Sequence, residues 1–187
     1  MKTVLMCNDD PVIRMSLKHN LKSLGFEEIT ECADGEAAVR LTMDRFPDIA
    51  ILDVAMPKKD GITTAAEIRQ KLKIPVILLA ATADADVMAR AKRIGVASFL
   101  MKPLRSQDLW PAIELAFAHN DEVEQLKEQV EDLKETLETR KVIEKAKGAL
   151  MKNQGISEPE AFRKMQKLAM DKRKSLRQIA EAILLTE

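Results

Sequence analysis

The chain has 187 residues, of which 46% are hydrophobic and 32% charged, and its 30 basic and 30 acidic side chains give a formal net charge of zero. This length and composition are those of a soluble protein with one domain of ordinary size and a smaller second one. No apolar run approaches the roughly 18 residues of a transmembrane helix, and the N-terminal sequence becomes acidic too early for a signal peptide, so we expect a cytoplasmic protein with no membrane partner.

The zero net charge hides three segments of different charge. Residues 1–120 carry 16 basic and 16 acidic side chains, residues 121–138 carry 2 and 8, and residues 139–187 carry 12 and 6. We therefore predict an N-terminal domain over 1–120, a linker over 121–138 and a C-terminal domain over 139–187. The C-terminal segment, with its net charge of +6, is the one expected to meet a polyanion.

Five short apolar runs in the first part of the chain are predicted to be β-strands. They occupy residues 4–7, 29–32, 49–52, 76–79 and 98–101. Amphipathic stretches with helical spacing separate the runs, and Gly or Pro residues close them. Alternating strands and helices predict an α/β domain with a parallel sheet, and the absence of polar alternation in the central runs predicts strands covered on both faces.

A few isolated residues are assigned to the core. Cys7 and Cys32 lie inside strand-like runs, and neither the cysteines nor the two histidines form a cluster, so we expect reduced thiols and no metal site built on Cys or His. Trp110 and Phe117 are at helical spacing and are also expected to be buried.

Polar residues follow four of the five predicted strands. They are Asn8, Asp9 and Asp10 after the first, Asp53 after the third, Ala80 to Thr82 after the fourth, and Lys102 with Pro103 after the fifth. The carboxyl ends of parallel strands share one edge of the sheet, where ligands bind. Carboxylates suit Mg²⁺ and an ammonium neutralises phosphate oxygens, so Asp53 is the predicted nucleophile of a phosphoryl-transfer site.

Asp53 has two other interpretations. It could simply cap the end of its strand. Alternatively, the chain could be a haloacid-dehalogenase-like phosphatase, which needs a second carboxylate two residues further on as general acid. Ala55 occupies that position, and we therefore predict that the protein is not an enzyme.

The first 120 residues resemble the receiver domain of two-component response regulators. The motifs are NDDPVIR, ILDVAMPKKDG, IPVILLAA and SFLMKP, in that order. The resemblance implies a flavodoxin-like (βα)5 fold and a sensor histidine kinase as partner. It makes Asp53 the phosphoacceptor and Lys102 the phosphate-contacting lysine before a proline whose peptide bond is often cis. It assigns Mg²⁺ to Asp9, Asp53 and the backbone carbonyl of Ala55, and it places Phe99 at the aromatic switch position.

Two positions depart from the pattern of that family. Asn8 stands where the first member of the acidic pair is expected, which leaves Asp9 as the second and Asp10 as a further candidate metal ligand. Ala80 replaces the Ser or Thr that hydrogen-bonds the phosphoryl group, and Thr82 is the nearest alternative hydroxyl. Fewer negative charges weaken Mg²⁺ binding, so inefficient phosphorylation, or signalling without phosphate, is an open alternative.

A heptad pattern follows the first domain. Its apolar positions are Val123, Leu126, Val130, Leu133 and Leu137. This spacing of three and four residues, with charged residues between, predicts a parallel two-stranded coiled coil and hence a homodimer. The alternative is an amphipathic helix packed on its own domain.

The tail is predicted to contain three helices. The long helix ends at Gly155, a second begins at the capping box of Ser157 and Glu160, and a third begins at Ser175 with Gln178 as its reciprocal cap. Fewer than 50 residues make a small core, so attachment to the coiled coil is expected to stabilise it.

The tail resembles the ANTAR domain, an RNA-binding module of transcription antiterminators. The segments are IEKAKGALM, GISEPEAFRKMQKLAM and SLRQIAEAIL. The resemblance implies binding to paired RNA hairpins in nascent leader transcripts, which prevents terminator formation. The phosphate-contact candidates are Lys141, Lys145, Lys147, Lys152, Arg163, Lys164, Lys167, Lys172, Arg173, Lys174 and Arg177.

The complete sequence therefore predicts a phosphorylation-dependent antiterminator. The competing class is a DNA-binding response regulator, since the last two tail helices could form a helix-turn-helix. A protein scaffold is a third class, but it leaves the positive tail unexplained.

Overall fold

The computed structural model describes residues 2–82 and 84–185. The strands are β1 (Lys2–Cys7), β2 (Phe26–Cys32), β3 (Ile49–Asp53), β4 (Val76–Ala80) and β5 (Ser98–Met101). The first four helices are α1 (Pro11–Ser23), α2 (Gly35–Arg45), α3 (Gly61–Lys71) and α4 (Ala85–Ile94). The last three are α5 (Ser106–Gln154), α6 (Glu158–Lys172) and α7 (Leu176–Leu184).

The five strands form one parallel sheet in the order β2-β1-β3-β4-β5. Every residue of β3 and β4 is buried, as expected for strands covered on both faces. The predicted α/β fold is confirmed, and this strand order is that of flavodoxin-like doubly wound sheets. The strand order reverses between β1 and β3. The residues that follow these two strands therefore lie at the switch point where such folds bind ligands.

Each face of the sheet has its own apolar core. Successive residues of β3 point to opposite faces, so Ile51 joins a cluster with α1 and α5, while Leu52 joins a cluster with α2, α3 and α4. This double coverage holds the carboxyl ends of the strands in fixed positions.

The cysteines are free and buried, as predicted. Cys7 and Cys32 are register partners on neighbouring strands. The hydrogen bond with Cys32 and burial both raise the pKa of the Cys7 thiol, so it stays protonated and unreactive.

The prediction that Trp110 is buried was wrong, whereas Phe117 packs against the core as predicted. The Trp110 side chain is 43% exposed on the surface of α5. The Lys2 ammonium lies 5.7 Å from the centre of its ring and 4.8 Å from that of Phe117, and it pairs with Glu114 at 3.4 Å. The Lys2 ammonium therefore lies over both aromatic rings on this part of the helix.

The chain divides into two compact units between Glu124 and Gln125. The helix α5 is continuous through the boundaries predicted at residues 120 and 138, so those finer boundaries stay predictions. Within residues 2–82 and 84–185, no helix is both long and apolar enough to span a bilayer.

The second unit has a small core made by three helices. It contains Ala146 and Leu150 of α5, Ala161 and Met165 of α6, and Ile179 and Ala180 of α7. Gly155, with φ of 64°, ends α5, and the predicted capping boxes at Ser157 and Ser175 begin α6 and α7. The predicted three-helix tail is therefore confirmed.

Candidate functional site

Three side chains at the ends of different strands meet at the carboxyl edge of the sheet. Asp53 is the last residue of β3 and is 1% exposed, and Asn8 directly follows β1 and is also 1% exposed. The Asn8 amide donates to Oδ2 of Asp53 at 2.7 Å, and the Lys102 ammonium, just after β5, bonds to the same oxygen. The structure thus brings Asp53 and Lys102 together, as the sequence predicted.

The Asp53 carboxylate is buried but charge-balanced. An isolated buried carboxylate would be strongly destabilising, and the ammonium of Lys102 offsets that cost. Among the residues that the structure describes, Oδ1 of Asp53 accepts one hydrogen bond, a long one of 3.3 Å from the backbone N–H of Ala55. This oxygen therefore keeps lone pairs for another partner.

Asn8 has a positioning role that the sequence did not reveal. Its Oδ1 accepts a hydrogen bond from the backbone N–H of Asp10 at 2.8 Å, which turns its amide N–H groups toward Asp53. The Arg14 guanidinium donates to the carbonyl oxygens of Asn8 at 2.6 Å and of Asp9 at 3.0 Å. The loop after β1 is thereby fixed, and an amide donor occupies the place where an acid was expected.

The two remaining acids of this loop differ in their roles. The Asp10 side chain accepts from the backbone N–H of Val12 at 2.8 Å and caps α1, whereas the side chain of Asp9 is exposed. In the part of the chain that the structure describes, no three His, Cys, Asp or Glu side chains are grouped closely enough to hold a metal ion. Mg²⁺ is commonly held by only one or two carboxylates, with water and phosphate oxygens completing the shell. The pair Asp9 and Asp53 fits that requirement, with less negative charge than a site of three acids.

Two of the three predicted switch residues lie in strands, Ala80 in β4 and Phe99 in β5. Ala80 ends β4, and its carbonyl accepts from the backbone N–H of Lys102 at 2.8 Å, which ties the lysine to the central sheet. Thr82 is exposed beyond the strand. Phe99 is half-buried and lines a cavity of about 390 Å³ together with Met88 of α4. No hydroxyl stands at the end of β4, because Ala80 has only a methyl group.

Gly61 is a site residue that sequence analysis missed. A Cβ atom at this first residue of α3 would lie 2.0 Å from the carbonyl oxygen of Asp53, so only glycine permits the helix to start there. Asp60 caps the helix by accepting from the N–H of Thr63 at 2.6 Å. The Asp-Gly pair in the loop after Pro57 was the available indication of this close approach.

Several basic residues of the second unit are engaged in ion pairs. The ammonium of Lys147 is 2.6 Å from both Glu144 and Glu158, and hydrogen bonds with these carboxylates raise its pKa. The residue is only 8% exposed, so the prediction that it belongs to the positive surface is wrong. It instead ties α5 to α6.

Two further predicted phosphate contacts are also paired, although less buried. Lys141 lies 2.7 Å from Glu138, and Arg177 lies 2.9 Å from Glu181 and 3.5 Å from Glu135. Lys164 donates to the neutral amide of Gln154 at 2.5 Å. The other predicted cations are on the surface: Lys145, Lys152, Arg163, Lys167, Lys172, Arg173 and Lys174.

Four of the five apolar positions of the heptad are exposed, whereas Val123 is half-buried. Leu126, Val130, Leu133 and Leu137 keep 53%, 48%, 64% and 56% of their surface in solvent. Within the second unit, the described residues leave these four side chains largely in solvent.

The fold and the Asp53 site define a receiver domain. The family model for the response regulator receiver domain matches residues 4–114, and the model for the ANTAR domain matches residues 131–184. The chain therefore belongs to the response regulators and has a C-terminal ANTAR domain. Both are domains of regulatory proteins.

Relatives and solved structures agree with this assignment. The chain is 42% identical over 185 residues to the transcriptional regulatory protein PdtaR of Mycobacterium tuberculosis, covering 99% of this chain and 90% of that protein. It resembles the receiver domain of the putative response regulator NarL of M. tuberculosis, with a TM-score of 0.57 and 30% identity over 60% of this chain and 94% of that one. A CheX–CheY complex with BeF3 and Mg²⁺ from Borrelia burgdorferi aligns with a TM-score of 0.59 and 30% identity, covering 62% and 89%.

Proposed function

We propose that the protein is a phosphorylation-dependent antiterminator that binds RNA hairpins in nascent leader transcripts. The observation that carries this proposal is the buried Asp53 carboxylate, held by Lys102 and Asn8, in a chain that also has an ANTAR domain. A sensor histidine kinase is the proposed phosphate donor, and the cytoplasm, where leader transcripts are made, is the proposed location.

The chemistry proposed for Asp53 is nucleophilic. A carboxylate oxygen forms a P–O bond as the P–N bond of the kinase phosphohistidine breaks, and the imidazole leaves. The Lys102 ammonium would neutralise charge on the transferred group, and the Asn8 amide would donate a hydrogen bond to it. Asp9, Asp53 and the carbonyl of Ala55 would hold Mg²⁺, which supplies further neutralisation of phosphoryl oxygens.

The link from receiver to RNA is proposed to be dimerisation through the exposed heptad face. Two ANTAR modules on one dimer meet two hairpins on one transcript, so the second contact is intramolecular. The effective concentration for this second contact is high. Joining two weak binding sites in one dimer therefore raises the occupancy of the RNA, although neither site gains a contact.

Single-round transcription tests this proposal. The template is a leader that carries two stem-loops, the second overlapping a terminator, taken from upstream of a gene next to that of this protein. We expect acetyl phosphate and Mg²⁺ to let the wild-type protein increase read-through, and we expect Asp53→Asn not to respond. Unchanged termination with phosphorylated protein on every such leader would contradict the proposal.

A further inference from the structure

The helix α6 has one face in the core and one in solvent. Ala161 and Met165 are buried in the three-helix core, whereas Arg163, Lys167 and Met170 are exposed. These three follow one another at spacings of four and three residues, so they form one row on the opposite side of the helix. We call this row the α6 ridge.

The cations of the α6 ridge differ from three other basic residues of this unit. In the described part of the chain, no carboxylate lies within ion-pair distance of Arg163 or Lys167, whereas Lys141, Lys147 and Arg177 each have carboxylate partners. Binding a phosphate with those three would first require breaking existing pairs. The ridge cations carry no such cost.

Glu160, three residues before Arg163, is already committed to helix capping. The Glu160 carboxylate accepts from the backbone N–H of Ser157 at 2.9 Å and from its hydroxyl at 2.6 Å. These hydrogen bonds, with a smaller effect from the charge of Arg163, hold the pKa of Glu160 below its usual value. Glu160 therefore stays ionised and fixed on the capping loop.

Met170 is the unusual member of the ridge. It is 79% exposed, among the most exposed large apolar side chains of the chain, and it stands one turn beyond Lys167. Exposed single apolar residues are common, but this one lies in line with two free cations. A flexible, polarizable thioether beside phosphate-binding groups is suited to cover the face of an unstacked base.

We infer that the α6 ridge is the RNA-contacting surface: Arg163 and Lys167 bind phosphates, and Met170 packs on an unpaired base of a hairpin loop. This inference rests on the proposed function and narrows it to one face of one helix. It also assigns Lys141, Lys147 and Arg177 to structural ion pairs and not to RNA.

The test uses the full-length protein and selected RNA. The wild-type protein, treated with acetyl phosphate, selects binders from a pool of stem-loop RNAs with one constant stem and a randomised loop. Binding of an enriched RNA is then measured by filter titration at several salt concentrations. The charge variant is Arg163→Gln/Lys167→Gln, and its matched control is Lys134→Gln/Lys141→Gln, which removes two exposed lysines that are paired with Glu131 and Glu138.

We expect the charge variant to lose affinity roughly tenfold or more and its log–log salt slope to fall by about two, because two phosphate contacts are gone. The control should bind within about twofold of wild type, since paired lysines release few counterions. Met170→Gln should weaken binding to the selected hairpin about fivefold with an unchanged salt slope, whereas Met170→Leu should largely keep the wild-type affinity. Neither Met170 variant should change binding to the same stem closed into a blunt duplex.

Each alternative result has a definite meaning. Equal affinity and slope for wild type and charge variant, with circular dichroism showing intact helices, would overturn the ridge assignment and leave the proposed function standing. Failure of the wild-type protein to enrich any stem-loop would overturn both. A change in oligomeric state caused by Met170→Gln would show that the ridge contacts another copy of the chain.

Discussion

The exposed heptad face gives the most direct quantitative prediction. We expect Leu126→Lys/Leu133→Lys to convert a dimer into a monomer. Full burial of a leucine side chain stabilises a protein by about 1.5–3 kcal/mol. Leu126 and Leu133 still expose 53% and 64% of their surface in the single chain, so roughly half of that stabilisation is left for a partner to provide.

Summed over the four leucines of two chains, this burial contributes about 4–7 kcal/mol to pairing. The lysines remove the contribution from leucine burial and bring like charges together on the dimer axis. Since 1.4 kcal/mol corresponds to a tenfold change, dimerisation should weaken by roughly three to five orders of magnitude.

Light scattering with and without acetyl phosphate measures the outcome. The control is Gln125→Lys/Gln129→Lys, which adds the same charge to the same helix outside the apolar positions. We expect the control to behave like wild type. A double leucine variant that still forms dimers would refute the heptad interface and show that another surface holds the chains together.

Three further predictions concern the receiver domain. Acetyl phosphate with Mg²⁺ should add one phosphoryl group to the wild-type chain and none to Asp53→Asn, and intact mass spectrometry reporting equal labelling would refute the assignment of the acceptor. Ala80→Thr should increase the yield or lifetime of the phosphorylated form by restoring a hydroxyl at the end of β4; no change in either would mean that Thr82 or another donor already serves. Gly61→Ala should lower the free energy of unfolding by several kcal/mol, because its Cβ would lie 2.0 Å from the Asp53 carbonyl oxygen, whereas Gly148→Ala, in open space on α5, should raise it by about 1 kcal/mol in denaturant titrations.

Much of the fold follows from local sequence patterns. The buried strands β3 and β4 match their predicted apolar runs to within one residue, because a strand covered on both faces must be apolar at every position. The edge strand β2 begins at Phe26, three residues before its predicted start. Glu27 and Glu28 are exposed on this edge and interrupt the apolar pattern, so the sequence gives no sign that the strand continues through them.

The candidate site was predictable in its members but not in its bonding. The end of each strand locates Asp53 and Lys102 at one edge from the sequence alone. The orientation of Asn8 depends on the N–H of Asp10, and the burial of Lys147 depends on Glu158 of the next helix. The first contact is a local turn in the loop after β1, and the second arises from packing between two helices, which neither spacing nor charge composition encodes.

The unbroken helix α5 restricts how this chain can change in length. Its leucines at 126 and 133 and its core residues Ala146 and Leu150 are all on one rigid helix. Each inserted residue turns everything beyond it by about 100° and moves it about 1.5 Å. One extra residue between 138 and 142 would therefore rotate the three-helix core away from the heptad face, whereas seven or eleven would restore its direction to within about 20°. Insertions and fusion junctions in this stretch should be tolerated only when they add seven or eleven residues. The rotational phase of the helix is therefore a constraint on chain length that does not depend on any one side chain.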